Sequence, residues 1–309
     1  MAHKGYKLHE GVKTAGTALR RAASLGVLAA ENAACIEREE RDAILVMSFG
    51  TTFKETRKKT IDAVTEEVQH TYPAVKVVFA FTSHIVIERV KKNEGVRYPT
   101  PEEALQKLRD EGCTRVALVS LDIIPGIEYA YKKEVFDECK SWFHRMTLGT
   151  PLVYWQGQEE KRDDVADVMA AVAKELPARA EDEAVLLMAH GTPHPANAYY
   201  AVMQDRLEKL GEERVYIYTV EGRPHLDDIV PKLKEAGVRK VTLAPLMLVA
   251  GDHATNDMAG EEPDSHKSLL EREGFCVQTI LKGIGENAAV RKIFAARAAE
   301  AYEALLGKD

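Results

Sequence analysis

Short apolar runs rich in β-branched residues alternate with helix-length amphipathic stretches along this chain, and the alternation occurs twice. "AILVMSF" leads into "GTTFKETRKKTIDAVTEEVQ", "VKVVFAF" into "TSHIVIERVKK", and "RVALVSL" into "DIIPGIEYAYKKEVFDECKSWF". After a charged connector around "ARAEDE", "AVLLMAH" leads into "GTPHPANAYYAVMQDRLEKL", "RVYIYTV" into "EGRPHLDDIVPKLKEAG", and "KVTLAPLMLVAGDH" into "ATNDMAGEEPDSHKSLLEREG". A last strand, "FCVQTI", and a closing helix over about 287–306 complete the chain. Strands separated by helix-length crossovers make right-handed βαβ units and parallel sheets. The expected fold is therefore α/β, with two similar Rossmann-like or flavodoxin-like domains that arose by internal duplication. The expected boundaries are a helical N-terminal extension over 1–40, a first α/β domain over 41–160 and a second over 180–309.

With 309 residues the chain suits two domains of ordinary size. Its 45% hydrophobic and 29% charged residues are those of a globular protein, not a disordered or fibrous one. A formal net charge of −7 argues against a nucleic-acid partner, so any anionic ligand has to be met by a local basic patch. The four cysteines, Cys35, Cys113, Cys139 and Cys276, form no CxxC pair, which points to a reducing compartment and a cytoplasmic location. Residues 20–30 faintly resemble an export signal, leaving a periplasmic location as the alternative. No apolar run approaches the roughly 20 residues of a membrane span. The phosphate-binding GxxxxGK[ST], the dinucleotide GxGxxG and the hydrolase GxSxG are all absent.

Laying one half on the other brings functional residue types together. "MSFGTT" falls on "MAHGTP", matching Phe49 with His190; "FAFTSH" falls on "YIYTVE", matching His84 with Glu221. "VSLDIIPGIE" falls on "APLMLVAGDH", matching Glu128 with His253. Open α/β sheets bind ligands at the carboxyl ends of their strands, where all six residues lie. Two imidazoles and a carboxylate, His190, His253 and Glu221, make a donor set for a divalent transition metal and not for Mg2+ or Ca2+. His194 and His225, each beside a proline, read as structural.

The motifs "VMSFGTTF" (46–53), "FTSH" (81–84), "IIPGIEY" (123–129), "LMAHGTPHPAN" (187–197), "YTVEG" (218–222) and "LMLVAGDHATNDM" (246–258) resemble those of the class II tetrapyrrole chelatases, most nearly the anaerobic sirohydrochlorin cobaltochelatase type. The resemblance implies a chelatase-like fold, two α/β domains with a cleft between them, and insertion of Co2+ into sirohydrochlorin on the anaerobic route to cobalamin. ATP and organic cofactors are not required; the divalent metal, Co2+ or alternatively Fe2+, is a substrate ion. It also implies that His190 and His253 are catalytic and metal-binding, that Glu221 joins them at the metal, and that Glu128 stands in the opposite wall. A neutral imidazole can hold a divalent ion or accept one of the two pyrrole protons that must leave.

The substrate's eight carboxylates call for basic residues at the cleft: Arg89, Lys132 and Arg223 foremost, with Arg57, Lys91, Lys92, Arg97 and Lys133. Phe49, Tyr129 and Met258, together with Phe53 and Tyr199, are expected along the macrocycle. Ferrochelation to sirohaem is an alternative at the same site. A non-catalytic tetrapyrrole, haem or metal carrier is another, with His84 as haem or secondary ligand. The closing helix and the N-terminal segment are further candidates for a homo-oligomer contact.

Overall fold

A computed structural model of the protein describes residues 8–9, 11–35, 39–158 and 160–307. Nine strands form two sheets among these residues: β1 (Leu28–Glu31), β2 (Asp42–Ser48), β3 (Lys76–Phe81), β4 (Arg115–Ser120) and β5 (Arg145–Leu148) in the first, β6 (Glu183–Ala189), β7 (Val215–Thr219), β8 (Lys240–Pro245) and β9 (Cys276–Thr279) in the second. The strand orders are β1-β5-β4-β2-β3 and β7-β6-β8-β9. Apart from β1, the two sheets have one topology. A central strand (β2 or β6) lies between the next two, and the fourth strand pairs parallel outside the third. The duplication read from the sequence is thus a duplication of the fold.

The uninterrupted apolar runs follow from burial on both faces, as expected of a parallel sheet covered by helices. Ile44 and Val46 face one core cluster while Ala43, Leu45 and Met47 face another; in β6, Val185, Leu187 and Ala189 oppose Ala184, Leu186 and Met188 in the same manner. The inner faces of both sheets contribute to one shared core, with Val165, Val168, Met203, Leu207, Phe294 and Ala298 from the helices packed into it. The halves therefore share one core, and each keeps a second core of its own on its other face.

Three expectations need correction. Among its described residues the N-terminal segment holds a short α-helix (Thr17–Ala22), then β1, which pairs antiparallel with β5, and a single 3-10 turn (Ala33–Cys35). The first sheet is thus mixed, and this part of the extension completes its edge. In addition, β5 was not among the strand–helix units read in the first half. Finally, the closing helix (Ala288–Leu305), assigned by sequence order to the second domain, packs on the first sheet against β4 and β5. Thr147 Oγ1 donates to Ala301 O at 2.7 Å, and Tyr302 OH donates to Asp42 Oδ2 at 2.8 Å. Fully buried Asp164 anchors this return. It accepts from Arg297 Nη2 at 2.8 Å and from the backbone N–H groups of Tyr154 and Trp155. A buried carboxylate is tolerated only when its lone pairs are filled in this way.

Candidate metal centre

His190, Glu221 and His253 each follow the carboxyl end of one of three neighbouring strands, β6, β7 and β8. β6 runs into His190, and the sheet ladder continues past the strand ends: Val220 N–H donates to Ala189 O at 3.1 Å and Glu221 N–H to His190 O at 2.8 Å. Gly191 makes this closeness possible. Its φ is +82°, and a Cβ there would stand 2.5 Å from Gly222 N and 2.8 Å from Thr219 Cβ. Only glycine accepts both the left-handed backbone and the contact. Asn197 ties the same loops together, accepting from Thr192 N–H at 3.2 Å and donating to Arg223 O at 2.8 Å. His253 opens a π-helical turn, His253–Met258.

The three side chains present ligand atoms all within 4.8 Å of one another. The imidazoles of His190 and His253 meet edge-on with centroids 4.8 Å apart, and His190 Nδ1 lies 3.8 Å from Glu221 Oε2. Bonds of about 2.0–2.2 Å to a common ion need only a small further convergence. His253 Nδ1 lies 2.5 Å from Asp257 Oδ2. Donation of Nδ1–H to that carboxylate assigns the tautomer whose Nε2 lone pair is free for a metal. His190 Nδ1 is likewise 3.0 Å from Gly191 O. The set is open, with the His190 side chain 44% and Glu221 56% exposed. An open triad can load and release an ion, unlike the closed four-ligand cage of a structural site.

Sequence reading missed Asp257 and Asn197. Asp257 lies four residues after His253, one helical turn on, and this spacing was the available signal.

The other wall belongs to the first half. A side chain on Gly126 would come 3.8 Å from Thr192, and one on Gly251 would come 3.4 Å from Thr51. Thr51 and Thr192 are equivalent, as are Gly126 and Gly251, so one contact is made twice about a pseudo-two-fold axis. Glu128, in the first turn of the helix Ile127–Cys139, accepts from Thr82 Oγ1 at 2.9 Å. The pairing registers correct one match. Ser48 pairs with Phe81 where Ala189 pairs with Thr219, which makes Ser83, not His84, the counterpart of Glu221. Ser83 caps the helix that His84 opens, and His84 is exposed one position further along.

Among the substrate candidates, Phe49 is exposed at the end of β2, and Arg89, Lys91, Lys92 and Lys133 are exposed on helices. Arg223 is exposed and pairs with Asp228 at 2.9 Å; Arg97 pairs with Glu103. Phe53 is partly buried, and Tyr199 donates to Tyr154 O. Four residues do not line the cleft. Lys132 is fully buried against Asp122, at 2.5 Å. Tyr129 is buried in the first half's core and donates to Gly149 O. Met258 lies in the second half's core, and Arg57 is buried in an ion pair with Glu94 at 2.6 Å. His194 Nδ1 accepts from Ala196 N–H, and His225 Nδ1 lies 3.4 Å from Thr219 O, the structural roles read for them.

A family model described as cobalt chelatase (CbiK) matches residues 42–303. A curated sirohydrochlorin cobaltochelatase of Salmonella typhimurium is 36% identical over 256 residues, covering 83% of this chain and 94% of the relative. The sirohydrochlorin cobaltochelatase CbiKC of Nitratidesulfovibrio vulgaris is 37% identical over 253 residues, covering 80% and 85%. The structure of SirB from Bacillus subtilis with Fe3+ superposes with a TM-score of 0.60 at 16% identity, over 87% of this chain and 98% of that one, a likeness of fold.

Proposed function

Since the chain belongs to the CbiK cobalt chelatase family, we propose that it is a metal chelatase that inserts Co2+ into sirohydrochlorin, without ATP or an organic cofactor. The observation that carries this reading is the convergence of His190, Glu221 and His253 at three adjacent strand ends, with His190 and Glu221 open to solvent. Imidazole and carboxylate donors suit Co2+ and do not by themselves distinguish it from Fe2+. The reaction exchanges one divalent cation for two pyrrole N–H protons. His190, Glu221 and His253 hold the incoming ion, and ligation and proton acceptance compete for the same imidazole lone pair. A histidine freed as the ion passes to the ring can therefore accept one proton. Glu128, oriented by Thr82, takes the second from the opposite wall. A carrier needs ligands and walls but no second base, and the placement of Glu128 supports the enzyme. All four cysteines are free thiols, in keeping with a cytoplasmic reaction. No helix among the described residues is long and apolar enough to cross a membrane.

The test is an anaerobic absorbance time course with sirohydrochlorin and Co2+, repeated with Fe2+ and with a His190→Ala, His253→Ala variant. Accelerated insertion of Co2+ that disappears in the variant is expected. Faster insertion of Fe2+ would make iron the preferred metal, and a spectral complex without accelerated insertion would mark a carrier.

A further inference from the structure

The ladder between β6 and β7 ends on the rung from Glu221 N–H to His190 O, which carries two of the three metal donors. Beyond that rung the two loops are joined by one side chain. Asn197 accepts from Thr192 N–H, in the loop of His190, at 3.2 Å, and its Nδ2 donates to Arg223 O, in the loop of Glu221, at 2.8 Å. One amide thus supplies the next rung, an acceptor and a donor on a short planar group. Space is kept for it: a Cβ on Gly222 would stand 2.1 Å from Asn197 Oδ1 and 2.9 Å from its Cγ. The base of this clamp is itself tied down. Asn197 lies on the 3-10 turn Pro195–Ala198, where its N–H donates to His194 O at 2.9 Å and His194 Nδ1 accepts from Ala196 N–H.

The duplicated half shows what the clamp adds. Its equivalent rung is present, Ser83 N–H to Phe49 O at 3.3 Å. However, Thr56 stands as far past Gly50 as Asn197 stands past Gly191, and by the pairing registers His84 stands in place of Gly222. The half without the metal donors therefore keeps the rung but lacks both the amide and the glycine that makes room for it. Resting on the chelatase reading, we infer that Asn197 is a positioning residue for metal capture: it holds the Glu221 loop against the His190 loop and so sets the separation at which carboxylate and imidazole meet the ion. With its side chain 56% exposed, Glu221 has little packing of its own, and its place beside His190 Nδ1, 3.8 Å away, is fixed through its backbone. Asn197 is not a ligand, since both ends of its amide are engaged by backbone groups. It acts as the outer partners of metal ligands do, by removing freedom from a donor.

The experiment titrates Co2+ into the full chain against a chromophoric chelator, with Asn197→Ala, Gly222→Ala and Glu221→Ala made singly and in pairs. Asn197→Ala is expected to weaken Co2+ binding about tenfold. Gly222→Ala drives its Cβ into the amide, so it should weaken binding as well and add nothing once Asn197 is alanine. In the Glu221→Ala background the loss from Asn197→Ala should shrink to less than about twofold, because the donor that the clamp holds is gone. A loss that persists undiminished without Glu221 would mark a merely structural role and overturn the inference. Should Asn197→Ala fail to fold in thermal unfolding, Gly222→Ala with and without Glu221 makes the same comparison. Asn197→Ala that binds Co2+ as tightly as wild type, while wild type inserts Co2+ into sirohydrochlorin, would overturn the clamp alone. A wild type that binds Co2+ without accelerating insertion, with the dependence of Asn197 on Glu221 present, would refute the chelatase reading and support the clamp.

Discussion

Replacing Asp257 by alanine tests whether this carboxylate orients a metal ligand or merely decorates an exposed turn. Its Oδ2 lies 2.5 Å from His253 Nδ1 within the turn His253–Met258, so loss of the carboxylate frees the imidazole to rotate and to exchange tautomers. Partners of this kind are worth about 10–100-fold in metal affinity. The structure places Asp257 at the lower end of that range, because its side chain is 46% and that of His253 36% exposed, and water can replace the lost acceptor. The expected loss of Co2+ affinity for Asp257→Ala is therefore about tenfold, or about 1.4 kcal/mol. Asp257→Asn, which keeps an acceptor oxygen at the same place, should lose less. Competition for Co2+ against a chromophoric chelator measures both variants, and thermal unfolding checks that neither has lost its fold. If Asp257→Ala binds Co2+ as tightly as the wild type while remaining folded, the orienting role is refuted and His253 is held by its helix alone.

Two predictions concern groups beneath the site. Lys132→Met should destabilise the fold by about 3–5 kcal/mol in denaturant titration, because it leaves the Asp122 carboxylate without its cation in the interior; an unchanged midpoint would mean that Ser120 and solvent satisfy Asp122 by themselves. His266, close to Tyr218 OH at 3.0 Å, is held below the ordinary imidazole value chiefly by burial. The unfolded chain then binds a proton that the folded one resists, so this contribution to stability is present above about pH 6.5 and is lost as the pH falls below it. The melting temperature of wild type should fall more steeply than that of His266→Gln between about pH 7 and 5, and parallel profiles would exclude the burial effect.

The period of the apolar pattern was sufficient to specify two α/β halves, since a strand buried on both faces is an unbroken apolar run and a crossover helix is amphipathic. Strand ends are also legible, because the chain must turn where glycine and proline interrupt the run. His190, Glu221 and His253 were accordingly visible as residues at three such ends. Long-range packing, by contrast, leaves no local period. The closing helix reads the same whichever sheet it covers, and only its packing against β4 and β5, with the Thr147–Ala301 and Tyr302–Asp42 hydrogen bonds, places it on the first half. Short edge strands such as β1 carry too few residues for a pattern. The assignment of His84 failed by one residue because aligned letters do not fix ladder register, whereas hydrogen bonding between β2 and β3 does. Lys132, Tyr129 and Met258 lie on elements that begin at the cleft, but whether a side chain on such an element faces the ligand or the core depends on what packs beside it. The sequence by itself determined the donor types and the strand ends that carry them. Tertiary structure alone decided their convergence, the Asp257 partner of His253 and the Asn197 bridge between the His190 and Glu221 loops, because each of these is a distance between elements that the chain brings together only on folding.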